Sequence, residues 1–231
     1  MKSLRIHYLQ HVAYEDPGCI EQWALEKNHH LTSTKLFRNE TFPDISTLDW
    51  LIIMGGPMSV NDSDSIDWIN AEKEFIAKAI NAGKTIIGIC LGSQFIASVL
   101  GAEIYKNHHK EIGWFPIYNP NNTSNLLFDN TEVYPVFHWH GETFDLPENA
   151  TLLASSEACK NQAFLYGRNI LGLQFHFEVT EDSLQQMITF GKEDIDGSAY
   201  TQEAEIIATQ KGLIKENNRR MYNILNHFES L

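Results

Sequence analysis

Cys90 has the sequence surroundings of a nucleophile. It follows the apolar run Thr85–Ile89, which predicts a short buried strand, and it precedes apolar residues at helical spacing. Gly88 and Gly92 flank it at two-residue spacing, as small residues must where a nucleophile is held on a sharp turn. A thiol there lies at a helix N-terminus, whose dipole favours the thiolate. The alternative is a buried cysteine without a chemical role, the more common fate of a single cysteine.

A histidine and a carboxylate two residues apart could supply the partners that such a thiol requires. His176 and Glu178 follow a second apolar run, and in an extended segment they face the same side. A thiol needs a base to remove its proton, and an imidazole needs a carboxylate to fix its tautomer. The alternative is a histidine at a strand end next to a solvated glutamate.

Three motifs, in order along the chain, resemble those of class I glutamine amidotransferases. They are Gly55-Gly56-Pro57 after an apolar strand, the segment around Cys90, and Gln174–Glu178. The resemblance extends from residue 4 to residue 190 or so, and it is closest to stand-alone members that look like the glutaminase domain of GMP synthase. Phe177 departs from the family pattern, which has proline there, so the fixed φ of proline is absent.

The resemblance implies hydrolysis of the side-chain amide of glutamine. Cys90 would attack the amide carbon to give a γ-glutamyl thioester and ammonia, with His176 as base and then acid, oriented by Glu178. Backbone N–H groups of Gly56 and Leu91 would hold the oxyanion, each donor being worth about 3 kcal/mol. The expected substrate is therefore a small molecule, glutamine or a γ-glutamyl compound.

Contacts with the amino-acid end of the substrate are implied in the same way. Gln94 matches a family position near that end, although an exposed site in the first turn of a helix is the alternative. Trp139, His140 and Gly141 would contact the α-amino and α-carboxylate groups. These three residues lie in a segment typical of the stand-alone subgroup, as does Glu111-Ile112-Gly113-Trp114.

His138 and His140 alternate on a predicted strand and could instead be a pair of metal ligands. No third ligand lies within reach along the sequence. The adjacent pairs His29-His30 and His108-His109 cannot both face one ion from a regular strand, so we interpret them as surface residues. The sequence therefore predicts neither a metal nor a cofactor.

Composition narrows the partners and the compartment. The chain has 231 residues and a formal net charge of −13, from 17 basic and 30 acidic side chains. Without a cluster of lysine and arginine, nucleic acids and anionic membranes are disfavoured as partners. Three cysteines without repeated spacing suggest no disulfide framework, and a reactive thiol suits a reducing compartment. With no signal-like or membrane-length apolar segment, we expect a cytoplasmic protein.

Apolar strand runs alternate with helical patterns as a doubly wound, mainly parallel α/β sheet requires, with helices on both faces as in flavodoxin-like folds. Such a sheet places Cys90 at its carboxyl edge, and later short strands predict a small antiparallel excursion. The predicted strands are 4–9, 32–37, 50–54, 85–89, 102–105, 114–118, 133–137, 151–154, 163–166 and 170–175, and the predicted helices are 18–27, 68–82 and 181–191, with Asp67 and Thr180 as N-caps.

We expect residues 1–231 to form a single glutamine amidotransferase domain in which residues 192–231 are a helical C-terminal extension. The extension is polar, but part of an apolar stripe runs along it, formed by Leu213, Met221, Ile224, Leu225 and Phe228. Such a stripe either packs on its own domain or docks a partner chain. The sequence is compatible with both.

Three functions remain open. The first is a glutaminase whose ammonia passes to a synthetase, expected here as a separate partner chain. The second is a γ-glutamyl peptidase that uses the same thiol on larger γ-glutamyl amides. The third is a non-catalytic regulatory or binding module with a vestigial site. The presence of Cys90, His176 and Glu178 weighs against the third, because decay of a site usually removes the nucleophile or the base first.

Overall fold

The computed structural model describes residues 3–121, 124–128 and 133–231. Helices and strands alternate through most of this part of the chain. The strands are β1 (Arg5–Gln10), β2 (His30–Lys35), β3 (Trp50–Ile53), β4 (Thr85–Ile89), β5 (Ile104–Tyr118), β6 (Val133–Phe144), β7 (Ala150–Ala154), β8 (Ala163–Tyr166) and β9 (Ile170–Leu173). The helices are α1 (Cys19–Glu26), α2 (Trp68–Asn81), α3 (Leu91–Val99), α4 (Glu181–Phe190), α5 (Ala204–Thr209) and α6 (Ile214–Glu229).

The main sheet has seven strands in the order β2-β1-β3-β4-β9-β8-β7. The first five are parallel to one another, whereas β8 and β7 add an antiparallel edge. The chain passes from β1 to β2 on one side and then to β3 on the other, so the order reverses next to β1. This confirms the doubly wound prediction, and such a reversal opens a crevice at the carboxyl ends of the strands.

The two faces of the sheet bury separate cores. Along β3, Trp50 and Ile52 belong to a cluster that contains residues of α1 and α6, whereas Leu51 and Ile53 belong to a cluster that contains residues of α2 and α3. Alternate side chains of a strand point to opposite faces, so helices cover both sides of β3.

The antiparallel excursion is present as a separate two-stranded sheet of β5 and β6. The segments predicted at 102–105 and 114–118 are not two strands, because β5 runs from Ile104 to Tyr118 with a register shift between Lys106 and Glu111. The residues between the two predicted segments are mostly polar, so the sequence did not indicate one continuous strand. These residues lie in the register shift, between two segments of β5 that pair with β6, and none of residues 107–110 is fully buried.

Several predicted boundaries shift. The strand predicted at 32–37 ends at Lys35, and Leu36–Arg38 is a 3-10 turn. Asp67 does not cap α2, because its backbone is helical and its side chain makes no capping hydrogen bond. Thr180 does cap α4, where it accepts from Ser183 N–H in a capping box. Strand β9 ends at Leu173, which frees the following residues for the site described below.

The apolar stripe of the C-terminal extension packs on the main sheet. Met221, Ile224, Leu225 and Phe228 are buried in the same core cluster as Trp23 of α1 and Trp50 of β3, whereas Leu213 is half-buried. The stripe therefore faces its own chain, not an open surface. None of the helices among the described residues is both long enough and apolar enough to cross a lipid bilayer.

Candidate active site

Cys90 occupies a tight turn between β4 and α3. Its φ is 51° and its ψ is −110°, a left-handed conformation that side chains rarely adopt. There is no room for a side chain at either flanking glycine. A Cβ on Gly88 would lie 2.5 Å from the carbonyl oxygen of Gly92, and a Cβ on Gly92 would collide with the carbonyl oxygen of Ile53. The turn therefore presents the thiol at the start of α3, as the sequence predicts.

Cys90 is 6% exposed, and its sulfur contacts two polar groups. Its Sγ donates to the carbonyl oxygen of Trp139 at 3.5 Å and lies 3.8 Å from the side-chain amide nitrogen of Gln174. Burial raises the pKa of the thiol, and interactions with His176 and with the N–H of Leu91 oppose that rise. A thiol in this environment needs a nearby group to take its proton.

His176 and Glu178 form a buried pair beside this thiol. His176 Nδ1 lies 2.7 Å from Glu178 Oε1, so the carboxylate accepts the Nδ1 proton. His176 Nε2 makes no conventional hydrogen bond in the described part of the chain and interacts with Cys90. Burial lowers the pKa of His176, but the charge of Glu178, the Nδ1 hydrogen bond to Glu178 and the interaction with the Cys90 side chain outweigh burial and hold that pKa well above its usual range.

The segment that carries this pair is anchored at both ends. At one end, the N–H of His176 donates to the carbonyl oxygen of Phe137 in β6 at 2.8 Å. At the other end, the carbonyl oxygen of Glu178 accepts from the N–H of Cys19, the first residue of α1, at 2.8 Å. A Cβ on Gly18 would collide with the Glu178 carbonyl. Close packing of backbone against backbone therefore fixes the positions of His176 and Glu178.

Phe177, at the position where the family has proline, is fully buried. Its ring packs edge-on against Phe175, with centroids 4.8 Å apart. The Asn218 amide of α6 donates to the carbonyl oxygens of Phe177 and Val179, each at 2.9 Å. Tertiary hydrogen bonds from the C-terminal extension thus constrain this segment where the proline ring is missing.

Gly56 and Leu91 both border the thiol. Leu91 is the first residue of α3, and Gly56 lines the same cavity as Cys90. A Cβ on Gly56 would lie 2.7 Å from the sulfur of Met58 and 3.0 Å from Cβ of His11. The preceding carbonyl, that of Gly55, accepts from His11 Nδ1 at 2.9 Å.

The cavity in front of the thiol has a volume of about 320 Å³. Six of the residues predicted for the site line it, namely Gly56, Cys90, Gln94, Trp139, His140 and Gly141. Its wall continues over the apolar side chains of Tyr14, Met58, Ile112 and Met187 and ends at Asp194, within the C-terminal extension. His176, Glu178 and Leu91 lie behind this lining.

Gln94 is buried, so the alternative of an exposed helix position is wrong. Its side-chain nitrogen donates to the carbonyl oxygen of Glu142 at 3.3 Å and to Oε1 of Gln174 at 3.1 Å. These bonds hold the Gln94 amide in the wall of the cavity and use both of its N–H groups.

Trp139, His140 and Gly141 of β6 also line the cavity. The indole N–H of Trp139 donates to Asp194 Oδ2 at 3.1 Å, and Nδ1 of His140 donates to the carbonyl oxygen of Glu142 at 3.0 Å. Gly141 is partly exposed and packs on Lys110. The strand thus presents backbone groups and two fixed rings to a ligand.

Glu15 is a site residue that sequence reasoning missed. It follows β1, its carboxyl group lines the cavity, and its Oε2 is buried without a hydrogen-bond partner in the described part of the chain. A Cβ on Gly55 would collide with this oxygen and would lie 3.2 Å from Cε1 of His176. Burial raises the pKa of Glu15 to about 7. Its position just after a parallel strand was the available signal.

The fold brings Glu111 to His138 and His140, a possible third ligand that lies outside their reach along the sequence. The three side chains are buried together, with one potential ligand atom from each within 4.8 Å of the others. Glu111 lies far away along the sequence but directly opposite His140 in the pairing of β5 with β6.

Comparisons with known proteins agree with these features. The family model for glutamine amidotransferase class-I matches residues 20–193. The chain is 30% identical over 198 residues to the glutamine amidotransferase-like protein YfeJ of Salmonella typhimurium, covering 83% of each chain. It is 31% identical to a glutamine-hydrolyzing GMP synthase subunit of Thermoplasma acidophilum, over 63% of this chain and 72% of that one. It is also 31% identical to gamma-glutamyl peptidase 3 of Arabidopsis thaliana, over 64% of this chain and 62% of that one.

The whole fold has a counterpart among solved structures. A glutamine amidotransferase from Thermotoga maritima superimposes with a TM-score of 0.89, 27% sequence identity and coverage of 99% of both chains. The match therefore includes the C-terminal extension as well as the region of the family model. Together with the motifs at Gly56, Cys90 and His176, these similarities show that the chain belongs to the class I glutamine amidotransferase family.

Proposed function

We propose that this protein hydrolyses the side-chain amide of glutamine through a γ-glutamyl thioester on Cys90 and releases ammonia. The observation that carries the proposal is the buried contact of 2.7 Å between His176 and Glu178 beside a thiol held on a strained turn. A structural cysteine needs neither the turn nor the pair. A base oriented by a third group, beside a thiol on a sharp turn, is the arrangement typical of an activated nucleophile.

The residues support a sequence of balanced steps. The Cys90 sulfur attacks the amide carbon, and His176 accepts the thiol proton and gives it to the leaving nitrogen, so that ammonia departs. Water then attacks the thioester and loses a proton to His176, and that proton returns to the sulfur as glutamate leaves. In both halves the oxyanion would accept hydrogen bonds from the N–H groups of Gly56 and Leu91.

The walls of the cavity suggest how the substrate is oriented. Gln94 and the segment Trp139–Gly141 line the same cavity as Cys90, and Gln94 and His140 both contact the carbonyl oxygen of Glu142. This polar part of the wall suits the α-amino and α-carboxylate groups of a bound amino acid. The side chain of the substrate would then extend toward Cys90.

The ammonia requires an acceptor. One of the relatives belongs to a GMP synthase assembled from separate chains, so we propose that a separate synthetase chain receives the ammonia. We place the protein in the cytoplasm, because its three cysteines are free thiols and one of them would be the nucleophile.

A γ-glutamyl peptidase is the second candidate, and the cavity is the observation that favours it. Its volume of about 320 Å³ and its wall of Tyr14, Met58, Ile112 and Met187 leave room for an apolar leaving group beside the γ-glutamyl moiety. One of the relatives is a gamma-glutamyl peptidase.

The test is to offer glutamine and a panel of γ-glutamyl amides in parallel and to measure released amine and acyl adducts by intact mass spectrometry. We expect an adduct on the wild type and on Cys159→Ala, a buried cysteine outside the cavity, and none on Cys90→Ala. Faster turnover of γ-glutamyl peptides than of glutamine would favour the second candidate. Absence of both an adduct and released amine on the folded wild type would favour a non-catalytic module and overturn the proposal.

A further inference from the structure

We propose that Glu111, His138 and His140 bind one divalent transition-metal ion of the zinc type, at a site distinct from the Cys90 thiol. The three side chains lie on one face of the β5–β6 sheet, where Glu111 is opposite His140 and Gly113 is opposite His138. Each of the three is at most 5% exposed. One nitrogen or oxygen atom from each comes within 4.8 Å of the others.

Backbone carbonyls determine which ring nitrogens are free. His138 Nε2 faces the carbonyl oxygen of Phe115 at 3.3 Å, and His140 Nδ1 faces that of Glu142 at 3.0 Å. A carbonyl can only accept, so these nitrogens carry the protons. In the neutral rings the lone pairs are therefore on His138 Nδ1 and His140 Nε2. Neither atom has a hydrogen-bond partner among the described residues, although both are buried.

Both lone pairs face the carboxylate of Glu111. Its Oε2 lies 3.3 Å from His140 Nε2 and 3.9 Å from His138 Nδ1. The same oxygen accepts from Ser156 Oγ at 3.0 Å and from Gln162 Nε2 at 2.6 Å, which fixes its position. Three acceptors that converge in a buried site repel one another unless a cation lies between them.

The ligand set points to a transition metal. Two imidazole nitrogens and one carboxylate oxygen suit zinc, whereas magnesium and calcium take oxygen ligands. Ligands about 2.0–2.2 Å from a tetrahedral ion are separated by roughly 3.3–3.5 Å, so the His140–Glu111 spacing already fits and His138 must approach slightly. Metal-bound histidines usually donate their other N–H to a carbonyl or carboxylate, as both rings do here.

The cavity provides the route of entry. His140 lines it together with Cys90, whereas Glu111 and His138 lie behind that wall. The ion would therefore sit behind the segment Trp139–Gly141 and hold β5 and β6 together there. The competing arrangement is a proton on His140 Nε2, which would make an ion pair with Glu111 and leave no place for a metal.

The experiment titrates zinc by calorimetry and cobalt(II) by visible absorption into the full chain carrying Cys90→Ala, because the thiol could itself bind metal. We expect one ion per chain, a cobalt spectrum typical of low coordination number, and a higher unfolding temperature with zinc. Glu111→Gln, which keeps the side-chain shape, and His138→Gln should each weaken binding at least tenfold. His108→Ala removes an exposed histidine of β5 and should leave binding unchanged.

Three results would overturn the proposal. One is the absence of stoichiometric binding of zinc or cobalt(II) to the folded Cys90→Ala protein. Another is an equal affinity for zinc with and without the Glu111→Gln substitution in that protein. The third is a nitrogen NMR spectrum in which His140 remains an imidazolium at neutral pH with zinc present. Since the background lacks Cys90, none of these results depends on the proposed amide hydrolysis.

Discussion

At the scale of single residues, the backbone of Cys90 is in a conformation that costs of the order of 1–3 kcal/mol for a side chain other than glycine. The contact of Gly92 with Ile53 and the hydrogen bond of 2.6 Å from Ser93 Oγ to the Cys90 carbonyl oxygen hold the turn in place. The strain directs the thiol into the cavity instead of into the core. Stability elsewhere in the fold must offset it.

The roles proposed for His176 and Glu178 predict unequal losses. His176→Ala should lower kcat about 10²–10⁴-fold, because it removes the group that moves the proton. Glu178→Gln should cost less, since the base is still present and only its orientation and charge stabilisation are impaired. Steady-state ammonia release measures both, with unfolding temperatures as the control. A larger loss in Glu178→Gln would mean that the roles are assigned wrongly.

Glu15 predicts a dependence of stability on pH. Its pKa is about 7 in the folded protein, against 4.5 in an unfolded chain. Above pH 4.5 the unfolded chain releases this proton before the folded protein does, so the free energy of unfolding falls as pH rises toward 7. The total loss is about 3 kcal/mol at most. Glu15→Gln should therefore gain stability over the wild type between pH 4.5 and 7 and keep that gain above pH 7.

Urea unfolding at pH 4, 6 and 8 measures this difference. Glu21→Gln, an exposed position in α1, serves as the matched control and should show no such trend. If the advantage of Glu15→Gln did not grow with pH, the carboxyl group would already be ionised at low pH in the folded protein.

At the scale of elements, α6 stabilises the segment that carries His176 and Glu178. Asn218→Ala removes two hydrogen bonds of 2.9 Å, to the carbonyls of Phe177 and Val179. We expect a loss of about 1–3 kcal/mol in the free energy of unfolding. We also expect kcat to fall under conditions where the variant is fully folded, because the imidazole is less well positioned.

Asn223→Ala is the matched control for this prediction, since it is an exposed asparagine of the same helix. This substitution should change neither the free energy of unfolding nor kcat. Unchanged kcat in folded Asn218→Ala would show that α6 supports stability alone.

The sequence predicted best those elements whose stability is local. Strands Thr85–Ile89 and Ala163–Tyr166 lie where they were predicted, because each is a short apolar run with turn residues nearby. The continuity of β5 was missed because the polar residues at 107–110 lie in a register shift that joins two segments paired with β6. Strand boundaries of this kind depend on pairing with a distant strand, which local residue preferences do not indicate.

The same distinction applies to the site. Cys90, His176 and Glu178 lie in short motifs, and their proposed roles follow from those motifs and from the family resemblance. Asn218 and Glu111 reach their partners only through the topology of the fold, over 39 or more and 27 or more residues of chain respectively. No pattern along the sequence could indicate those contacts.

At the scale of the whole molecule, the C-terminal helix belongs to the core. Leu225 is fully buried, and Leu225→Ala should cost about 2–5 kcal/mol, because it leaves a cavity between α6 and the sheet. Leu25→Ala is the control: this side chain is 70% exposed in α1, and its loss should change stability by no more than about 0.5 kcal/mol. Chemical denaturation monitored by tryptophan fluorescence compares the two. Similar small effects would mean that α6 packs loosely.

The hydrogen bonds from Asn218 also bear on the order in which the chain is made. Translation proceeds from the amino end, so the ribosome releases Cys90, His176 and Glu178 before it releases α6. Until that helix emerges, the carbonyls of Phe177 and Val179 lack their donor, and α1 lacks the apolar side chains that cover it. A nascent chain, or one terminated before α6, would carry Cys90, His176 and Glu178 in a loosely held arrangement, and the proposed hydrolysis would begin only once α6 had been made.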